Sequence, residues 1–89
     1  MSHGLPGRRV VLSRNAAKGV ASLPEHTRRA CANIIRELAA GSLRGKKLLG
    51  DLRDMRSIRI GGTHRLLYRE TLDQIQVVDV GPRGDVYKR

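Results

Sequence analysis

Three strand-like runs stand almost end to end in the last third of the chain: S-I-R-I (57–60), H-R-L-L-Y-R (64–69) and Q-I-Q-V-V-D-V (74–80). Gly61-Gly62 marks the first turn between them and Leu72-Asp73 the second. Connections this short suit hairpins, so the runs read as antiparallel neighbours in one sheet. Alternation then assigns faces. Ile58 and Ile60 need a covered side, which sends Ser57 and Arg59 to the other. In the next run Arg65, Leu67 and Arg69 share one face, and His64, Leu66 and Tyr68 the other. Both sets contain apolar residues, so alternation alone leaves Arg65 open. Burying its guanidinium without a partner is costly, which places it outward with Arg59. The third run is apolar on both faces apart from Asp79 and reads as the middle strand.

The first half supplies the other layer. R-R-V-V-L (8–12) is a short β-branched strand, and Ser13 stands as an N-cap before a first helix with Ala17, Val20 and Ala21 as its apolar stripe. Gly19 weakens that helix. Pro24 and Glu25 open a second helix that runs to Ala40, with Ala30, Cys31, Ile34, Ile35 and Leu38 on one side and Gly41 as its stop. Residues 42–54 form a basic loop anchored by Leu48, Leu49 and Leu52, residues 1–7 read as a loose tail, and a short strand at Asp85 to Tyr87 closes the chain. The expected fold is a single α+β domain over 1–89 in the order β-α-α-β-β-β. It is a small, twisted, mainly antiparallel sheet with two N-terminal helices packed on one face.

With 89 residues and neither Trp nor Phe, the core must be built from aliphatic side chains. One cysteine, Cys31, excludes an internal disulfide framework, and its place on a helical stripe makes it an inert buried thiol. No apolar run approaches the ~20 residues of a membrane span. No signal peptide is evident either, so a cytoplasmic protein is expected. The net charge of +10 draws such a chain to polyanions. The basic residues are spread over all elements, which argues against a membrane-surface helix. His3, His26 and His64 lack metal-ligand spacing, so neither metal nor other cofactor is expected.

Arginines punctuate the strands at Arg59, Arg65 and Arg69, and Arg83 follows in a Gly81-Pro82-Arg83-Gly84 corner. Taken singly, each is a solvated surface charge. Arg59, Arg65 and Arg83 converging on one face would form a set of guanidinium forks matched to phosphate oxygens, with Tyr87 beside them.

Three segments carry a family resemblance: K-K-L-L-G-D-L-R (46–53), S-I-R-I…H-R-L-L-Y-R, and V-G-P-R-G-D-V-Y (80–87). Together they resemble the RelE/ParE superfamily of toxin–antitoxin systems, over most of the chain. The late tyrosine resembles the RelE branch. That resemblance implies a metal-independent endoribonuclease that enters the ribosomal 30S A site and cuts mRNA by attack of a ribose 2′-OH, inhibiting translation. It implies catalytic roles for Arg65, Arg83 and Tyr87, and RNA contacts from Arg59, Arg44, Lys46, Lys47, Arg53 and Lys88. It also implies an acidic cognate antitoxin as partner. Ser57 and Arg59 stand where the family often has lysines, and Pro82 where it often has His or Lys. Arginine keeps its proton, which leaves the general-base role to Tyr87 or to the bound RNA. The alternatives are a ParE-like toxin that inhibits DNA gyrase, and a basic nucleic-acid-binding module without chemistry.

Overall fold

The computed structural model describes residues 7–82. The chain runs β1 (Arg9–Leu12), α1 (Arg14–Ala21), α2 (Glu25–Ala40), β2 (Lys46–Lys47), a single 3-10 turn (Gly50–Leu52), β3 (Arg56–Ile60), β4 (His64–Glu70) and β5 (Gln74–Pro82). The five strands form one sheet in the order β1-β5-β4-β3-β2. β1 lies parallel to β5, and the other neighbours are antiparallel. Both helices lie on one face, as the α+β reading expected.

Caps and turns act where the sequence placed them. Ser13 Oγ accepts from the Ala16 amide at 3.0 Å and donates to the Val78 carbonyl at 2.6 Å, so one hydroxyl both starts α1 and ties it to β5. Gly41 ends α2 in the left-handed region at φ 82°. The core joins Ala16, Leu23, Cys31, Leu38, Ile60, Leu66, Tyr68, Ile75, Val77 and Val80.

Four expectations need correction. First, α1 buries Ala16 and half-buries Gly19 and Val20, whereas Ala17 and Ala21 are exposed. The cause is contact at Gly19, where an added Cβ would stand 1.9 Å from the Val80 carbonyl oxygen. That approach of helix to β5 selects the face holding residues 16, 19, 20 and 23. Second, β4 occupies the middle of the sheet, with Leu66, Leu67 and Tyr68 buried in succession. β5 is flanked by β4 and by the added edge strand β1 and is apolar on the helix side alone, through Ile75, Val77 and Val80. Third, the loop 42–54 contains a short strand and a 3-10 turn, and within it Leu49 is 87% exposed while Leu48 and Leu52 are half-buried. Fourth, β5 is not regular. Leu67 stands opposite Asp79 and Tyr68 opposite Val77, so Val78 is an extra residue. This bulge returns Val80 to the core side after Val77 and sends Asp79 to the other. The expected strand at Asp85 to Tyr87 lies outside the described residues.

No helix among the described residues is long and apolar enough to cross a membrane.

Candidate nucleic-acid interface

The sheet face turned away from the helices is built in rows. Arg59 stands directly opposite Arg65, and Arg65 opposite Gly81. The next row holds Lys46, Ser57, Leu67 and Asp79 side by side across four strands. Arg69, Gln76 and Val11 form the third row, and Gln74 with Arg9 the fourth. Ile58, Ile60, Leu66 and Tyr68 take the covered side, as alternation required.

Arg65 is half-buried, and its Nη1 donates to Ser57 Oγ at 3.4 Å. Arg59 is exposed. Like charges directly opposite in a ladder repel each other, so the Arg59–Arg65 pair concentrates positive charge in this row of the face. The row beneath is shielded from solvent: Ser57 and Leu67 are 3% exposed and Asp79 is 6% exposed. Ser57 is therefore on the expected face but buried there, with Asp79 the carboxylate of the row. Asp79 Oδ1 accepts from the Val80 amide at 2.9 Å.

The other expected contacts divide. Lys46 shares the arginine face through its pairing with Ser57, whereas Lys47 pairs with Arg56 and points to the opposite side. Arg53 closes its own turn by donating to the Gly50 carbonyl at 3.4 Å. Arg44 donates to Glu70 Oε1 from Nε at 3.0 Å and from Nη2 at 2.6 Å. Glu70 also meets Arg8 at 3.3 Å and Arg56 at 3.5 Å. Burial pushes the Glu70 carboxyl up, but the Arg44 hydrogen bond and the charges of Arg44, Arg8 and Arg56 outweigh it and hold the carboxyl below its usual range. The same hydrogen bond, with the Glu70 charge, raises Arg44. Arg44 is thus a staple between the α2–β2 loop and β4. Nothing in the sequence flagged this cluster, because its members are far apart along the chain. Arg83, Tyr87 and Lys88 lie outside the described residues.

His64 pairs with Ile60 and Pro82, on the face opposite Arg65, and its Nδ1 lies 2.8 Å from Thr63 Oγ1. Tyr68 is fully buried and accepts from the Gly45 amide at 2.7 Å, a core residue as expected. Burial pushes the Cys31 thiol up, which keeps it protonated and unreactive. Among the described residues no three His, Cys, Asp or Glu side chains gather where a metal could sit.

Two helices packed on one face of a mainly antiparallel sheet are the α+β arrangement the sequence reading expected. Residues 10–87 match the family model described as the ParE toxin of type II toxin–antitoxin system, parDE. The chain belongs to the RelE/ParE toxin superfamily. No curated protein sequence matches it. Among solved structures, a chain of the toxin–antitoxin complex RelBE2 from Mycobacterium tuberculosis superposes with a TM-score of 0.74 at 28% identity, covering 86% of this chain and 99% of that one. YafQ from E. coli gives 0.77 at 14% identity, over 90% of this chain and 98% of that one. The YoeB/ParE toxin from Agrobacterium tumefaciens gives 0.73 at 18% identity, over 84% and 98%. The last two likenesses establish the fold alone. Superfamily membership accounts for the sheet order and the helix pair.

Proposed function

We propose that this toxin is a ribosome-dependent endoribonuclease whose arginine face holds the scissile phosphate of mRNA in the A site. The observation that carries the reading is the Arg59–Arg65 pair, two like charges directly opposite in the β3–β4 ladder. The singly charged phosphodiester takes a charge-assisted contact from each guanidinium, and the doubly charged pentacoordinate transition state takes stronger ones. Arg65, held by Ser57 Oγ, grips a non-bridging oxygen, and Arg59 takes a second. In the step itself the ribose O2′ bonds to phosphorus and the P–O5′ bond breaks, leaving a 2′,3′-cyclic phosphate and a 5′-OH. The 2′-OH proton passes to a base and an equivalent proton reaches O5′. Arginine keeps its proton. Tyr87 therefore orients or deprotonates the 2′-OH, helped by the surrounding positive charge. Arg83 stabilises the charge that develops on the leaving oxygen.

Lys46 and Lys88 extend the RNA contact, and recognition falls on the backbone. The RelBE2 complex and the DinJ–YafQ complexes of E. coli, all similar in structure to this chain, support a cognate antitoxin as partner, and the net charge of +10 favours an acidic one. A second reading is favoured by the description of the matching family model, which is a ParE toxin: a poison of DNA gyrase that binds through the same cationic face.

Primer extension on message from cells expressing the chain separates the two. The endonuclease reading expects cuts in frame with codons that vanish with Arg65→Ala or Arg83→Ala. Intact message together with gyrase-linked DNA breaks would replace it with the second.

A further inference from the structure

The arginine face does not stop at the Arg59–Arg65 pair. Leu67 separates Arg65 from Arg69 along β4, and Arg69 stands opposite Gln76, which is itself beside Val11 of β1. Gln74 and Arg9 form the row after that. A strand rises ~3.3 Å per residue, so Arg65 and Arg69 are about 13 Å apart along β4. A single nucleic-acid strand rises about 3.4 Å per nucleotide when stacked and covers that distance in about four nucleotides.

The far rows carry the chemistry such a strand needs. Arg9 is exposed and makes no ion pair among the described residues. Arg69 meets Asp54 at 3.2 Å, an exposed contact that is worth little and that a phosphate can replace. Gln76 Nε2 donates to Gln74 Oε1 at 2.9 Å, which locks the two amides side by side. Gln76 Oε1 and Gln74 Nε2 have no further protein partner among the described residues. A glutamine amide has two N–H donors and one acceptor oxygen; with one N–H of Gln76 given to Gln74, its remaining N–H and its Oε1 are the donor and acceptor that match the edge of adenine. Val11, 41% exposed, adds an apolar shelf for a base or sugar in the same row.

We propose that Arg9, Val11, Arg69, Gln74 and Gln76 form a second subsite for single-stranded RNA. It takes the nucleotides flanking the scissile one and prefers adenine at Gln76. The inference rests on the reading that the Arg59–Arg65 row holds the scissile phosphate, and places the second subsite toward the β1 edge, on the other side of the solvent-shielded Ser57–Leu67–Asp79 row. The cations grip phosphates and the locked amides read a base.

The test is fluorescence anisotropy with end-labelled oligoribonucleotides of three, six and nine nucleotides, without ribosomes. Wild type is expected to bind six more tightly than three. Arg9→Ala and Gln76→Ala, both at half-exposed or exposed positions, should erase that gain. Arg9→Ala should also flatten the slope of log affinity against log salt by about 0.7 for the six-mer, the loss of one phosphate contact. Adenine over uridine at the flanking position should be preferred by about fivefold, and Gln76→Ala should remove the preference. Arg65→Ala should weaken all three lengths alike. Affinity independent of length, or unchanged in both distal variants, overturns the proposal. So does loss of a copurifying acidic partner in those variants with RNA binding intact, which would make the rows a protein-docking surface. Length-dependent binding by a chain that leaves ribosomal message uncut would keep the RNA subsite and reject only the nuclease reading.

Discussion

Arg59 and Arg65 set the account at the scale of single residues. Like charges directly opposite on neighbouring strands repel, so removing the exposed one with Arg59→Gln should stabilise the free protein by at most about 1 kcal/mol while lowering its activity. Urea unfolding beside a translation assay checks both signs. Glu70 makes the contrasting case. Its folded carboxyl sits below the ordinary value, so its contribution to stability is fully present above the unfolded carboxylate range of about 4.3 and is lost as pH falls through the folded value. Glu70→Gln should therefore cost stability at pH 7 and cost progressively less as the pH drops toward 3, measured as the difference in urea midpoints. The face of Arg65 was legible in the sequence, because burying a guanidinium is costly. The Glu70 staple was not, because Arg8, Arg44 and Arg56 reach it only through the tertiary fold.

At the scale of elements, the close approach of α1 to β5 fixes the helix layer on the sheet. Gly19→Ala would push a methyl onto the Val80 carbonyl. A backbone oxygen cannot swing aside, so the substitution should cost about 3 kcal/mol or more although alanine is the better helix former. A large fall in thermal midpoint, with the helical circular-dichroism signal of the folded protein unchanged below the transition, is the expected pattern. Strands β1, β3, β4 and β5, the turns between the last three and the limits of α2 were readable from period, caps and glycines, whereas β2 was read as loop. The stripe of α1 was misread by one residue, because propensity treats Gly19 as a defect and only packing shows it as a contact. The bulge at Val78 was hidden for a related reason. Q-I-Q-V-V-D-V is apolar at adjacent positions, so alternation offered no sign of where the register shifts, and Asp79 changed face unannounced.

The whole molecule carries a net charge of +10 on 89 residues. Self-repulsion of that size lowers the stability of the free chain and is relieved by counterions. The thermal midpoint should rise as salt is added over the range where the Debye length shortens from about 30 Å to about 8 Å. It should rise further with an acidic antitoxin bound. A midpoint indifferent to salt would mean that the cations are already neutralised within the fold. The sheet's division of labour explains why charge and fold coexist: one face is apolar and covered by helices, and the other gathers Lys46, Arg59, Arg65, Arg69 and Arg9. The central claim is that this second face cuts message. The direct measurement is a reconstituted ribosome stalled with a defined codon in its A site, challenged with wild type and with Arg65→Ala at a temperature well below the thermal midpoints of both. Cleavage within that codon, ending in a 2′,3′-cyclic phosphate and reduced at least a hundredfold in the variant, is the predicted result. Intact message with wild-type protein, or equal cleavage by the variant, would contradict it.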